Sequence, residues 1–219
     1  MEPFESLRVP FGPFFVRLDV RKASKTLKRW DEGFHRRLVE AFRSLRSRGL
    51  PAYLAFAISD ELNVLFGDFF SRRVEKIVSV SASVVSISLG LPVDARIVYT
   101  PSLLSAVKYL ERRQVLGYRN ALMKEAFERT LAETGDRNLA KAESSRPVDQ
   151  LRRKYSRFLP KRALLGTIAR DDQEESRDLR DERGKKRLIE VLKSFPLEWS
   201  ERLFRIRVST PRCSVRVLS

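Results

Sequence analysis

Phe56-Ala57-Ile58-Ser59-Asp60-Glu61-Leu62-Asn63-Val64-Leu65-Phe66 decides how the chain is read, because two adjacent acids interrupt what otherwise reads as two apolar strands. Ala52 to Ile58 is small and apolar. Leu62, Val64 and Phe66 then alternate with Glu61, Asn63 and Leu65, the period of a half-buried strand. Ser59-Asp60 is therefore expected as a hairpin tip. Asp is a common turn residue that water solvates. A carboxylate held at a rigid tip beside a sheet can also coordinate a hard cation, and bound Mg²⁺ is a common way to bring nucleotide phosphates to a protein.

Working outward, Phe14 to Val20 places Val16, Leu18 and Val20 on one face and Arg17 and Asp19 on the other, as a strand requires. Residues 1–13 show no periodicity and read as an arm leading into it. Asp31 can cap a helix whose apolar stripe is Phe34, Leu38, Phe42 and Leu45, stopped by Gly49 and Pro51. After the hairpin, a second helix from about Ser71 to Leu89 is closed by Gly90 and Pro92, and Ala95 to Tyr99 is a short β-branched strand. The order strand, helix, strand, strand, helix, strand predicts an α+β fold with the ferredoxin-like βαββαβ antiparallel sheet. In that topology the end of the first strand meets the beginning of the third. Asp19 and Asp60 would then share one edge of the sheet, where two like charges call for a cation.

Beyond Pro101 the pattern predicts two helices, one carrying Leu103, Leu104, Val107 and Leu110 and one from Gln114 to Leu131, ending near Gly135. Residues 136–187 are dense in mixed charge and are expected as solvated helix or mobile segment. Leu203 to Val208 and Ser214 to Leu218 could pair as a small hairpin. Residues 1–132 are expected to form the catalytic domain. Residues 133–219 would be a C-terminal extension packing on it and contributing to RNA binding.

Composition narrows the classes of function. Among 219 residues there are one cysteine, Cys213, and one histidine, His35, which leaves no internal disulfide and no cysteine or histidine-cluster metal site. Any metal must sit on carboxylates. No apolar run approaches the roughly 18 residues of a membrane span, and the N-terminus lacks the pattern of a signal peptide, so a cytoplasmic protein without a membrane partner is expected. A net charge of +16, from 44 Lys+Arg against 28 Asp+Glu, points to a polyanionic partner, nucleic acid first. There is no P-loop and no dinucleotide fingerprint.

Several segments together resemble the tRNA-His guanylyltransferases, and especially their archaeal and bacterial guanylyltransferase-like relatives. Arg17-Leu18-Asp19-Val20-Arg21 is similar to the family's R-x-D-G-R, Lys28 to Glu32 to its K-P-F-D-E, and Ser59-Asp60-Glu61 to its Q-S-D-E. Arg72 to Ile77 resembles R-R-x-x-K-I, Asp94-Ala95-Arg96 resembles F-D-A-R, and Tyr109 to Leu122 resembles a Y-x-x-W-R-Q-x-D-x-x-R-N-A-L helix. Pro196 to Arg202 is a weaker echo of a late P-x-W segment. The likeness runs from about residue 14 to 131. Val20 stands where the family has glycine, Ile58 where it has glutamine, Arg112 for tryptophan and Leu116 for aspartate.

The resemblance implies a polymerase-like palm that adds nucleotides to the 5′ end of tRNA, in the 3′-to-5′ direction. Asp19 and Asp60 would be the catalytic carboxylates, holding two Mg²⁺ ions with the Val20 carbonyl. One ion eases deprotonation of an attacking 3′-hydroxyl and the other neutralises the pyrophosphate leaving group. GTP or ATP would be bound by the segment Val20, Arg21, Lys22, Ala23 and Ser24 and by Lys28, Ser59, Arg73 and Lys76. Arg113, Tyr118, Arg119 and Asn120 would meet RNA, and Glu61 would be a lesser candidate at the metal site. The R-N-A-L form favours the like-protein branch, which repairs truncated 5′ ends on a template, over guanylylation of tRNA-His. A homo-dimer or tetramer is implied as well. Two other classes stay open: a catalytically degenerate RNA-binding module that kept the palm, and a nucleotide cyclase built on the same palm.

Overall fold

The computed structural model describes residues 7–21, 23, 30–67, 70–197 and 199. Alternating residues build strands at Phe14–Val20 (β1), Ala52–Ile58 (β2), Glu61–Phe66 (β3) and Val93–Tyr99 (β4), with helices Glu32–Ser47 (α1) and Val74–Leu89 (α2) in the expected places. Their order across the sheet is β4-β1-β3-β2, every neighbouring pair antiparallel, which is the ferredoxin-like arrangement. Asp31 caps α1 by accepting from Phe34 N at 3.0 Å, and Gly90 ends α2 with φ 66°.

After β4 come Leu103–Thr134 (α3), Arg137–Ser144 (α4), Val148–Tyr155 (α5), Lys161–Leu165 (α6), strands Thr167–Arg170 (β5) and Gln173–Glu175 (β6), and Glu182–Lys193 (α7). The two helices expected between 103 and 131 are one continuous helix of 32 residues. Residues 111–114, Glu-Arg-Arg-Gln, are straight-chain helix formers, so nothing there interrupts it. The charge-rich stretch after 136 is folded: β5 pairs with β2 and β6 with β5, extending the sheet to six strands. Gln114, fully buried, fastens that extension to α3. Its amide donates to the carbonyls of Leu165 and Arg177, both at 2.7 Å, and its oxygen accepts from Leu179 N at 2.7 Å.

Both faces of the sheet are covered. Phe14, Val16, Leu18, Leu62, Val64 and Phe66 pack against the stripe Phe34, Leu38, Phe42 and Leu45 of α1 and against Ile77 and Val85 of α2. Phe15, Leu54, Phe56, Ile58 and Leu65 pack against Ala106, Val107 and Leu110 of α3 and Leu188 and Leu192 of α7. Because α3 and α7 supply this second layer, β3 is buried at every position rather than on one face. The far half of α3 carries its own cluster, in which Tyr118, Leu122 and Ala126 meet Leu151, Tyr155, Leu159 and Ala163. The described part of the N-terminal arm is pinned from Leu7, whose carbonyl accepts from Val74 N at 3.1 Å, and further on the buried Arg72 donates to the carbonyls of Val9 at 2.9 Å, Pro10, and Gly12 at 2.7 Å. The C-terminal hairpin expected at 203–218 lies outside the described residues.

Candidate functional site at the hairpin tip

Ile58 and Glu61 close the β2–β3 pairing, so Ser59-Asp60 is a two-residue tip, as its sequence predicts. Ser59 takes φ 55°, a left-handed backbone that disfavours a residue with a Cβ. Its hydroxyl donates to Asp60 Oδ1 at 3.0 Å. The tip opens on a cleft of about 510 Å³ lined by Ala23, Trp30, Asp31, Phe34, Ser59 and Asp60 on one side. Asn120, Lys124 and Glu128 of α3, with Leu159 and Ala163 beyond it, form the other. An apolar wall joined to a few convergent polar groups is the composition of a small-ligand site.

One strand away stands Asp19. It pairs across the sheet with Glu61 on one side and Asp94 on the other, and the next residue, Val20, donates its N–H to the Asp60 carbonyl at 3.1 Å. The backbone thus brings Asp19 and Asp60 to the same end of adjacent strands. Val20 ends β1 as a regular strand residue, without positive φ, so a β-branched side chain is unstrained there. Asp19 Oδ1 accepts from Arg17 Nε at 3.1 Å and from its terminal nitrogen at 2.7 Å. Oδ2 is buried without a hydrogen-bond partner, its nearest cation being Arg96 Nε at 3.7 Å.

Between the sheet and α3 these groups form a charged tier. Glu61 accepts from Arg17 at 3.1 Å and from both Nε, at 2.9 Å, and the terminal nitrogen of Arg113. Burial pushes the Glu61 carboxyl up, and the Arg113 and Arg17 guanidiniums oppose it. Burial also works against the Arg17 charge, but the hydrogen bond to Asp19 and the nearby carboxylates prevail and hold that guanidinium above its ordinary value. Tyr109 of α3 completes the tier by donating to Asn63 Oδ1 at 2.5 Å, and burial raises its phenol. Glu61 is thereby occupied by two arginines and is an anchor for α3 rather than an open acid.

The remaining expected site residues divide. Ala23, Ser59 and Asn120 line the cleft with Asp60. Arg21 turns toward β4, where it meets Asp94 at 3.5 Å. Lys22, Ser24 and Lys28 lie outside the described residues. Arg73 and Lys76 are not brought to the tip. They open α2 at the Phe14–Phe66 end of the sheet, about five strand residues, roughly 17 Å, from the Asp19–Glu61 end. Within one chain the topology forbids the meeting, since α2 starts where β3 finishes. Arg113 and Tyr118, expected at RNA, are turned inward: Arg113 to Glu61, and Tyr118 into the cluster under α5, with Arg180 over its ring at 4.6 Å. Arg119 remains exposed.

Lys124 is a cleft residue that motif matching alone does not find. It follows Asn120 by four positions and so shares its helix face, a signal the spacing does carry. Burial lowers its ammonium, while Asp60 and Glu128 support the charge. Trp30 is a second, lying against the His35 ring at a centroid distance of 4.8 Å with its Nε1 unpartnered. Among the described residues no group of three or more acids, histidines or cysteines is arranged as a metal cluster, so a cation here would rest on the two aspartates and backbone oxygen.

An antiparallel ferredoxin-like sheet, with two aspartates at the shared end of its first and third strands and a cleft beside them, defines a palm-type α+β protein. No protein-family model matches the chain, and no curated protein matches it. Its fold is that of the tRNA-His guanylyltransferases and their relatives. It is similar to a bacterial tRNA(His) guanylyltransferase-like protein in complex with ATP, with TM-score 0.67, 17% identity, and coverage of 85% of this chain and 93% of the other. The GTP complex of a bacterial guanylyltransferase-like protein gives TM-score 0.62 at 17% identity, covering 86% and 93%. The tRNA(His) guanylyltransferase of Saccharomyces cerevisiae gives 0.66 at 18% identity, covering 79% and 91%.

Proposed function

We propose that this chain is a Mg²⁺-dependent nucleotidyltransferase that adds nucleotides to the 5′ end of tRNA, in the 3′-to-5′ direction, with GTP or ATP as substrate. The observation that carries the reading is the tip itself. Ser59 and Asp60 open on the cleft while the neighbouring strand offers Asp19 Oδ2, buried without a hydrogen-bond partner and 3.7 Å from Arg96 Nε. Oxygen donors with an unsatisfied carboxylate among them suit a hard cation. Asp19, Asp60 and the Val20 carbonyl would hold it, and bound there it would supply charge neutralisation for an attacking hydroxyl and a departing pyrophosphate. Ser59, Asn120 and Lys124 line the cleft and would contact phosphate and sugar, with Trp30 and Phe34 as the wall against the base. The similar fold of proteins solved with ATP and GTP supports the same assignment.

Incubating a 5′-truncated tRNA with Mg²⁺ and nucleoside triphosphates tests it. Extension by the wild type and a loss of roughly hundredfold or more in Asp60→Ala and Asp19→Ala are expected. No extension by the wild type, or undiminished extension by Asp60→Ala, overturns it. A homo-dimer or tetramer belongs to the same reading, and a monomeric mass at working concentration counts against that part.

One observation favours a second reading, a non-catalytic RNA-binding palm: Asp19 Oδ1 is already held by Arg17, and Glu61 is fully engaged. Retained tRNA affinity without Mg²⁺-dependent GTP binding would select it.

A further inference from the structure

Residues 137–165, which form α4, α5 and α6, hold nine lysines and arginines against two acids, Glu143 and Asp149. Both acids belong to this cap, and Glu143 is consumed within it by Lys154 at 2.9 Å and Arg146 at 2.8 Å. Arg153, Arg157 and Lys161 are exposed, and none has an acidic partner within 4.0 Å among the described residues. The cap is fixed to the far half of α3 by an apolar cluster, and two of its residues, Leu159 and Ala163, line the cleft. Its charge therefore stands on the rim of the candidate site.

At that rim Phe158 is 40% exposed, a large apolar ring left in water next to cleft-lining Leu159. The Arg129 guanidinium of α3 lies 3.5 Å from its centroid and that of Arg157 4.7 Å. Arg129 is in turn held by Glu125, another cleft residue. An exposed ring with ordered guanidinium planes beside unpaired cations is the combination by which proteins hold single-stranded nucleic acid, stacking on bases and neutralising phosphates.

We propose that Phe158, Arg129 and Arg157, with Arg153 and Lys161, form the landing surface for the RNA strand whose end enters the cleft. The proposal rests on the nucleotidyltransferase reading only for which RNA end is delivered. The surface itself follows from charge and geometry.

The test uses the full chain, without Mg²⁺ or nucleotide, and a labelled acceptor-stem hairpin RNA with a single-stranded end, titrated by fluorescence anisotropy between 50 and 200 mM salt. Arg153→Gln/Arg157→Gln/Lys161→Gln should weaken binding about tenfold and reduce the salt slope by about two, from three lost phosphate contacts. A control with equal charge loss elsewhere, Arg48→Gln/Lys108→Gln/Lys193→Gln, should stay within about twofold, since only the diffuse field is reduced. Phe158→Ala should weaken binding about fivefold or more, with Phe158→Tyr restoring it. Equal loss in the two triple variants, absence of binding by the wild type, or a cap variant that loses phosphatidylserine vesicles but keeps RNA would overturn the surface. Cap-dependent RNA binding in a protein that fails to extend tRNA supports the surface while removing the transferase reading.

Discussion

At position 61 a carboxylate sits between two guanidiniums on opposite layers, Arg17 from the sheet and Arg113 from α3. Taking Glu61 away leaves the Arg113 guanidinium without its carboxylate and Arg17 with Asp19 alone, the costly direction for a buried ion pair. Glu61→Ala is expected to destabilise the fold by about 3 kcal/mol in urea unfolding, with Arg17 and Arg113 left facing each other. His35 is another buried residue whose environment decides its chemistry. It contacts Thr167 Oγ1 at 2.8 Å, and burial pulls its pKa down to about 4. Glu32 and Glu174 oppose that shift, and Arg162 adds to it. The folded imidazole is thus neutral where the unfolded one, near 6.5, takes up a proton. Its contribution to stability is complete above about pH 6.5 and declines as pH falls toward 4, by up to about 3 kcal/mol. Urea midpoints measured from pH 7 to 4 should follow this curve in the wild type and flatten in His35→Gln.

Among the elements, α3 does most to join the site to the rest of the chain. It covers the charged tier, lines the cleft and carries the cap. Its Gly117 lies against the Ile58 side chain, with which any Cβ at that position would overlap. Gly117→Ala is expected to cost about 1–3 kcal/mol by overpacking, and Ile58→Ala to relieve most of it, so that a double-mutant cycle by thermal melting shows strong coupling. α3 was also where the pattern misled. Its polar middle looks like a break, yet Gln114, Glu61's partner Arg113 and the buried Tyr118 lie there, because α3 is clad on several sides by the sheet, the segment after β6 with α7, and the cap rather than by one apolar face. A periodicity test presumes a single buried face and has no means of seeing this.

On the scale of the whole molecule, the sheet of six strands runs continuously from β4 to β6, and β2 has partners on both edges. Cutting the chain after residue 132 would strip β5, β6 and α7, uncovering Leu54 and Phe56 and leaving β2 as a bare edge. Such a fragment is expected to aggregate or melt without cooperativity, and a sharp thermal transition in it would contradict this. What the sequence by itself determined was everything written in local chemistry. The alternation of Phe14–Val20, the Ser59-Asp60 tip, the Asp31 cap and the Gly90 stop are short-range patterns, and their order was enough to name the antiparallel palm and to bring Asp19 and Asp60 to one end of it. Only the tertiary structure decided which charges are free. Asp60 and Lys124 face a cleft, Glu61 and Arg113 neutralise each other, and Arg73 and Lys76 begin their helix at the opposite end of the sheet. β5 and β6, four and three residues long in a charged stretch, likewise exist because β2 offers β5 an edge and β5 in turn offers one to β6. Burial and pairing depend on which distant segments come together, and no local pattern carries that information.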